Sequence, residues 1–292
     1  MFDELQHFLL VVEHGTLTRA ARAANLTQPA LTASLQRLEA FHGARLLHRG
    51  RQGARLTPAG AALLPRARLA LAAVDAGRRA VAEVEGLDAG EVRLGGGATA
   101  CTYLLPPIVA DFRRRYPGVT FRMRERYTPQ VVDDLAAGRI DIGVAQGEPP
   151  PGRGDPWRDD PLVLVASPDQ ANRLMHDRRG ALQPGTPFVT FQPGAALRKL
   201  LDQNLPDIDV VMELQSFAAA KGLVLAGIGV ALLSRVSVEE DLEMGRLVEV
   251  EDIRAPHSRA LCLRHAGLER IPPAAAALRE LLLADGRTVP LR

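Results

Sequence analysis

Thr27-Gln28-Pro29-Ala30-Leu31-Thr32-Ala33-Ser34-Leu35-Gln36-Arg37-Leu38-Glu39 separates two faces at helical spacing. Leu31, Leu35 and Leu38 recur at i, i+4, i+7 and predict a face turned to a core. Gln28, Thr32 and Gln36 form a second row, flanked by Pro29, Ala33 and Arg37, with nothing apolar beside it. Thr27 stands where an N-cap hydroxyl belongs, and Pro29 falls in the first turn, where its missing N–H costs nothing. A polar row on a helix seated this firmly suits the major groove of duplex DNA. Gln28 can make a bidentate contact to adenine, and the methyls of Ala30 or Thr32 can touch a thymine methyl. Thr27, Thr32 and Arg37 are placed for phosphates, which position a helix without reading sequence.

The flanking residues predict the same layout. Phe2, Leu5, Phe8, Leu9 and Val12 give a first helix an apolar stripe, Gly15 ends it, and Thr18 is expected to cap a second helix whose Ala20, Ala21 and Ala24 permit close packing. Beyond Glu39, Gly50 and Gly53 between Leu46-Leu47 and Leu56 predict a short hairpin carrying Arg45, Arg49, Arg51 and Arg55. Residues 1–60 hold 7 arginines and 4 acidic residues, net +3, while the remainder is net −1, so the positive charge is local to this end. The alternative for these residues alone is a helical hairpin used for protein contacts. Cap, apolar row, polar row and basic hairpin agree with one another in favour of DNA.

Phe8, Val12, Gly15-Thr16, Ala20-Ala21, Gln28-Pro29-Ala30-Leu31-Thr32, Leu38-Glu39, Gly43, Leu46, Arg49, Leu56-Thr57 and Ala59-Gly60 resemble the N-terminal motif of LysR-type transcriptional regulators. Thr16 and Thr32 stand where that family usually has serine, Ala24 and His42 where it has leucine, and Leu47 where it has phenylalanine. The resemblance implies an N-terminal winged helix-turn-helix (1–58), a long linker and dimerisation helix (59–88) and a two-lobed effector domain of periplasmic-binding-protein architecture (89–292). The lobes are expected at 89–161 with 267–292, and at 162–266. The resemblance also implies DNA contacts from Thr18, Thr27, Gln28, Pro29, Ala30, Thr32, Ala33, Gln36, Arg37, Arg49 and Arg51. A homodimer assembling into a tetramer on an interrupted inverted repeat is expected, with contacts to the transcription machinery.

Pro58 to Gly86 reads as one helix of about 45 Å at 1.5 Å per residue. Leu63, Ala67, Ala70, Val74, Gly77, Val81 and Val84 alternate at spacings of four and three, a seam for a partner helix or for the chain's own domain. Pro65 and Gly77 weaken it. From Gly90 strands and helices alternate, which predicts an α/β domain with parallel strands. The anchors Leu105-Pro106, Phe112, Tyr116-Pro117, Gly138, Asp141 and Gly227-Ile228-Gly229 extend the resemblance over the whole chain, with crossings between lobes expected near Pro161 and Ala266.

A ligand belongs where strand ends meet helix starts, because free N–H groups there favour a small anion or carboxylate. Gly95-Gly96-Gly97-Ala98-Thr99-Ala100-Cys101-Thr102 is such a junction, read either as a tight turn or as a ligand contact. The resemblance implies that Thr99, Cys101, Thr102 and Thr128 line the cleft, joined by Gln146 and, from the other lobe, by Gln192, Ser216 and Phe217. Ser216 equally suits a helix cap, and Trp157, in the Pro149 to Trp157 stretch expected to be an irregular loop, either covers a ligand or packs.

No cofactor is implied beyond the effector. The seven histidines show no metal-ligand spacing, and Cys101 and Cys262, expected on opposite lobes, predict no disulfide. With no cleavable signal pattern and no membrane-length apolar run, a cytoplasmic protein is expected. No Ser/His/Asp, paired-carboxylate or metal arrangement appears by spacing. The second reading, a metabolite-binding enzyme tethered to DNA by its N-terminal module, therefore has only the α/β domain to support it.

Overall fold

The apolar spacing at the N-terminus is realised as three helices around one small core. The structure is a computed structural model describing residues 1–50, 53–84, 90–175, 177 and 179–288. Helices α1 (Phe2–His14), α2 (Leu17–Ala23) and α3 (Gln28–His42) bury Phe8, Val11, Ala20, Leu31, Leu35 and Leu38 against one another. Gly15 closes α1 in the left-handed conformation. Thr16, not Thr18, caps α2: its Oγ1 accepts from Arg19 N at 3.3 Å, because the helix begins at Leu17 and Thr18 already lies inside it.

Strands β1 (Leu47–Gly50) and β2 (Gly53–Leu56) form the expected hairpin, with Leu47 opposite Leu56 and Gly50 opposite Gly53. Its base is fastened to the end of α3. Glu39 Oε1 accepts from Leu46 N at 2.9 Å and from Leu47 N at 3.3 Å. Thr57 Oγ1 donates to Arg45 O at 2.6 Å and accepts from Gly60 N at 3.0 Å. A Cβ on Gly60 would lie 2.1 Å from Leu46 O, so only glycine lets the next helix start this close to the hairpin.

That helix, α4 (Pro58–Val84), continues through Pro65; Glu85 and Gly86 lie outside the described residues. Its seam is divided. Ala67 is buried on the N-terminal core, where Leu63 and Ala70 also pack, whereas Val81 is 68% exposed. The first half of the predicted stripe therefore serves the chain's own domain, and the stripe is exposed at Val81. Farther along, α4 docks on the C-terminal region: Arg93 Nη1 reaches Asp75 Oδ2 at 2.7 Å. Gly138, at φ +66°, approaches so closely that an added Cβ would sit 2.0 Å from the Ala72 Cβ.

The remaining chain forms two lobes. In the first, β3 (Glu91–Gly96) is flanked in parallel by β4 (Thr120–Glu125) and β5 (Ile142–Gln146), connected through α5 (Leu105–Arg115) and α6 (Thr128–Ala136). Then β6 (Gly154–Ala166) leads into the second lobe, built from α7 (Pro168–Ala171), β7 (Pro187–Phe191), α8 (Ala196–Asn204), β8 (Asp209–Leu214), α9 (Phe217–Leu225), β9 (Ala231–Ser234), α10 (Glu239–Glu243) and β10 (Val248–Val250). The chain returns through β11 (Ser258–Arg264) to α11 (Pro273–Thr288). Separate apolar cores fill the two lobes.

Three expectations change. The sheet is mixed, because β6, β9, β10 and β11 pair antiparallel while only β3, β4 and β5, and separately β7 and β8, are parallel. Gly154, Pro156 and Trp157 are in strand β6 rather than a loop, and Trp157 packs: it is buried, with Nε1 donating to Leu282 O at 2.8 Å. The first crossing is at Pro161, as expected, but the return precedes Ser258 instead of falling near Ala266. The reason is that β11 is hydrogen-bonded to β5, with Leu261 opposite Gln146. Cys262 consequently shares the first lobe with Cys101.

Gly138→Ala is expected to lower stability by about 1–3 kcal/mol, through backbone strain and collision with α4. Urea unfolding checks this. Ala72→Gly in the same chain should recover part of the loss by removing the opposing methyl, a coupling that independent effects would not give.

Candidate functional site

At the N-terminal end, the cap on α3 is formed by Thr27 Oγ1, which accepts from Ala30 N at 3.4 Å. Thr18, Thr27, Gln28, Pro29, Ala30, Ala33, Gln36 and Arg37 are exposed together on one side, with Thr32 half-buried among them. Thr18 Oγ1 donates to Gln28 Oε1 at 3.3 Å, so α2 steadies the glutamine at the tip of α3 while leaving its amide N–H groups to donate elsewhere. Below the row, His7 Nδ1 lies 2.7 Å from Ser34 Oγ and ties α3 to α1. Arg37 Nε donates to Glu4 Oε1 at 3.0 Å, which offsets its charge within the chain. Arg49 lies in β1, and Arg51 lies outside the described residues.

A cleft opens between the lobes. Of the residues expected there, Thr99, Thr128, Gln146 and Phe217 line it. Cys101, Thr102, Gln192 and Ser216 do not. Residues Ala100–Leu104 form a π-turn ahead of α5, and Cys101 Sγ turns back to donate to Gly96 O at 3.4 Å and toward Arg124 O at 3.8 Å. Thr102 is exposed and is not part of the cleft lining. Ser216 caps α9, accepting from Ala219 N at 3.3 Å. Gln192 Oε1 accepts from Gln215 Nε2 at 2.7 Å, and Gln215 rather than Gln192 faces the cleft.

Sequence reasoning missed Arg259, Arg126, Gln215 and Phe191 in the lining. Arg259 stands with Arg264 at the two ends of the apolar run Ala260-Leu261-Cys262-Leu263, and nothing in that spacing distinguishes one from the other. In the fold Arg259 Nε donates to Asp160 Oδ2 at 2.8 Å and its Nη2 to Thr99 Oγ1 at 3.1 Å. Asp160 in turn accepts from Ser234 Oγ at the end of β9. This buried chain of contacts runs from Thr99 on one lobe to Ser234 on the other, through the strand that crosses between them. Phe191 and Phe217 stack with centroids 5.9 Å apart and planes at 16°, giving the second lobe's wall a flat apolar surface. Among the described residues no three His, Cys, Asp or Glu side chains gather to hold a metal, and no helix is long and apolar enough to cross a membrane.

A winged helix-turn-helix followed by a two-lobed domain with an interlobe cleft matches two family models in tandem. Residues 2–61 match the bacterial regulatory helix-turn-helix protein of the lysR family, and residues 85–287 match the LysR substrate binding domain. The chain belongs to the LysR family of transcriptional regulators. It is a DNA-binding regulator with an effector-binding domain, not an enzyme. Its relatives include the HTH-type transcriptional regulator CbbR of Rhodospirillum rubrum, 30% identical over 98% of this chain and 96% of that one. A probable RuBisCO transcriptional regulator of Cyanidioschyzon merolae is 30% identical over 85% of this chain and 86% of its own. The fold matches ArgP of Mycobacterium tuberculosis with a TM-score of 0.70 at 19% identity, covering 98% of this chain and 97% of that one. It also matches full-length CbnR in complex with its target DNA, with a TM-score of 0.66 at 21% identity over 98% and 99% of the two chains.

Burial pushes the Cys101 thiol up to about 12, with Glu125 adding to the shift. The regulator's Cys101 should therefore stay protonated and react with iodoacetamide at pH 8 at least about tenfold more slowly than the same residue in denaturant, since the thiolate is the nucleophile. Mass spectrometry of timed alkylations, resolved by peptide, provides the check.

Proposed function

We propose that residues 1–58 form the DNA-binding unit, 59–88 the joining helix and 89–292 the effector unit, with the second lobe spanning 162–257. The regulator reads an interrupted inverted repeat as a homodimer. One helix-turn-helix touches few base pairs, and two held at fixed spacing match the two-fold symmetry of such a site. The exposed Val81 end of the α4 seam is the surface offered to the partner helix, and two dimers join into a tetramer that bends the DNA between half-sites. Gln28, Ala30, Thr32, Ala33 and Gln36 face base edges, Thr18, Thr27, Pro29 and Arg37 sit along the backbone, and the charges of Arg49 and Arg51 are assigned to the adjacent groove or phosphates.

The effector is a small anion or carboxylate held between the lobes near Thr99, Thr128, Gln146 and Phe217. Its binding closes the lobes, shifts how subunits meet through α4, and so alters half-site spacing and bend, with contacts to the transcription machinery following. The protein works in the cytoplasm, where its DNA lies. Relatives named as probable RuBisCO transcriptional regulators make promoters of RuBisCO genes the first duplexes to try.

The observation that carries this reading is the exposed polar row of α3 standing opposite a fully buried leucine row. Gln28→Ala should lose discrimination at one position of each half-site, by about 1–3 kcal/mol. Arg49→Ala should weaken all duplexes nearly equally and lower the salt slope by about 1. Competition binding at several salt concentrations separates the two. Equal effects from both changes would contradict the assigned roles, and no preference for any duplex over random competitor would overturn the reading.

A further inference from the structure

What the cleft can hold follows from three groups on its walls, given that it is the effector site as proposed above. Arg259 has a side chain only 10% exposed, and its two described hydrogen bonds, to Asp160 and Thr99, use two of a guanidinium's five N–H donors. The others belong to a residue that lines the cleft. Gln146 presents the opposite need. Its Oε1 is buried and accepts no hydrogen bond, although buried acceptors are ordinarily satisfied. Leu261 stands opposite Gln146 on the neighbouring strand, so Arg259, two residues before it, shares that sheet face, and the two polar residues are diagonal neighbours about 7–8 Å apart. Leu261 lies between them, and the stacked rings of Phe191 and Phe217 supply the wall across the cleft.

Charge restricts the ligand further. Asp160 balances Arg259, and at the rim Glu125 stands beside Arg126, which itself reaches Asp134 at 3.4 Å. A site so nearly neutral, with its cation buried, accepts one negative charge far more readily than two.

We propose that the cleft is built for a compact hydroxylated monocarboxylate. Its carboxylate is received by the spare N–H groups of Arg259, its hydroxyl donates to Gln146 Oε1, and the carbon body between them lies on Leu261 and the Phe191–Phe217 pair. Asp160, steadied by the Ser234 hydroxyl, positions the guanidinium.

Calorimetry on the full-length protein tests this with 3-hydroxybenzoate and 5-hydroxypentanoate as probes. Benzoate and pentanoate lack the donor, 3-hydroxybenzyl alcohol lacks the charge, and 3-hydroxyphenyl phosphate carries the second charge. At least one hydroxy acid should bind at millimolar concentration or better, about tenfold or more tighter than its unhydroxylated counterpart, its alcohol or the phosphate. Gln146→Leu should erase the preference for the hydroxyl while keeping the parent acid. Arg259→Gln should lose the acids, and Arg259→Lys, which keeps the charge should the glutamine variant fail to fold, should retain weakened binding. Preference for the alcohol or the phosphate, an undiminished hydroxyl preference in Gln146→Leu, or failure of both hydroxy acids overturns the proposal. Operator footprints recorded with each probe keep the two readings apart. A neutral or doubly charged probe that binds and changes the footprint leaves the effector role standing and sinks this ligand class. Hydroxy-acid binding with an unchanged footprint supports the cleft chemistry and sinks the effector role.

Discussion

One strand belongs to both lobes. The first half of β6 pairs with β11 in the first lobe, and from Leu162 the same strand pairs with β9 and β10 in the second. Relative motion of the lobes must be absorbed where these partnerships change over, at Asp160 and Pro161. Proline there gives up only an N–H, and the register passes from Ser258 opposite Pro161 to Ser234 opposite Leu162. Asp160 is 2% exposed at this point. A carboxylate so placed is costly unless paired and hydrogen-bonded, and Arg259 and Ser234 supply both. The pair is weak evidence for added stability, because desolvating two charges offsets most of their attraction. It does fix which groups meet at the changeover, and thereby what the floor of the cleft presents.

At the other end of the chain the constraint is rigidity. The side chains of Glu39 and Thr57 fasten the end of α3, the base of the hairpin and the start of α4 to one another by hydrogen bonds to backbone groups. Helix α3, the hairpin and the start of α4 are therefore tied to one another, which couples the direction of α4 to that of the Gln28 face. The middle of α4 is held by the first lobe through Asp75–Arg93 and the Ala72–Gly138 approach. Contacts among the described residues thus run from α3 through α4 to the sheet of the first lobe.

Much of the N-terminal fold was legible because its determinants are local. Caps, apolar spacing and hairpin glycines act within a few residues, so α3 and the wing were placed correctly, and the one shift, Thr16 for Thr18 as the cap, arose where two threonines stand two apart. The Gly154 to Trp157 strand was not legible. Its glycine and proline argue for a loop, and only pairing with β11, about a hundred residues later, holds it extended. The same long-range pairing moved the return crossing from Ala266 to before Ser258.

The cleft divides along the same line. Thr99, Thr128 and Gln146 lie at the ends of parallel strands, and an α/β order predicts such positions without any tertiary information. Cys101 and Thr102 lie in the π-turn after β3, where Cys101 Sγ turns back on Gly96 O, and neither lines the cleft. Arg259 acquires its meaning only through partners 99 and 160 residues away. Composition and spacing carry no trace of separations that long. The residue that most narrows the chemistry of the cleft is thus the one that periodicity is least able to reveal, since a strand position is defined by its neighbours in the sheet and not by its neighbours in the chain.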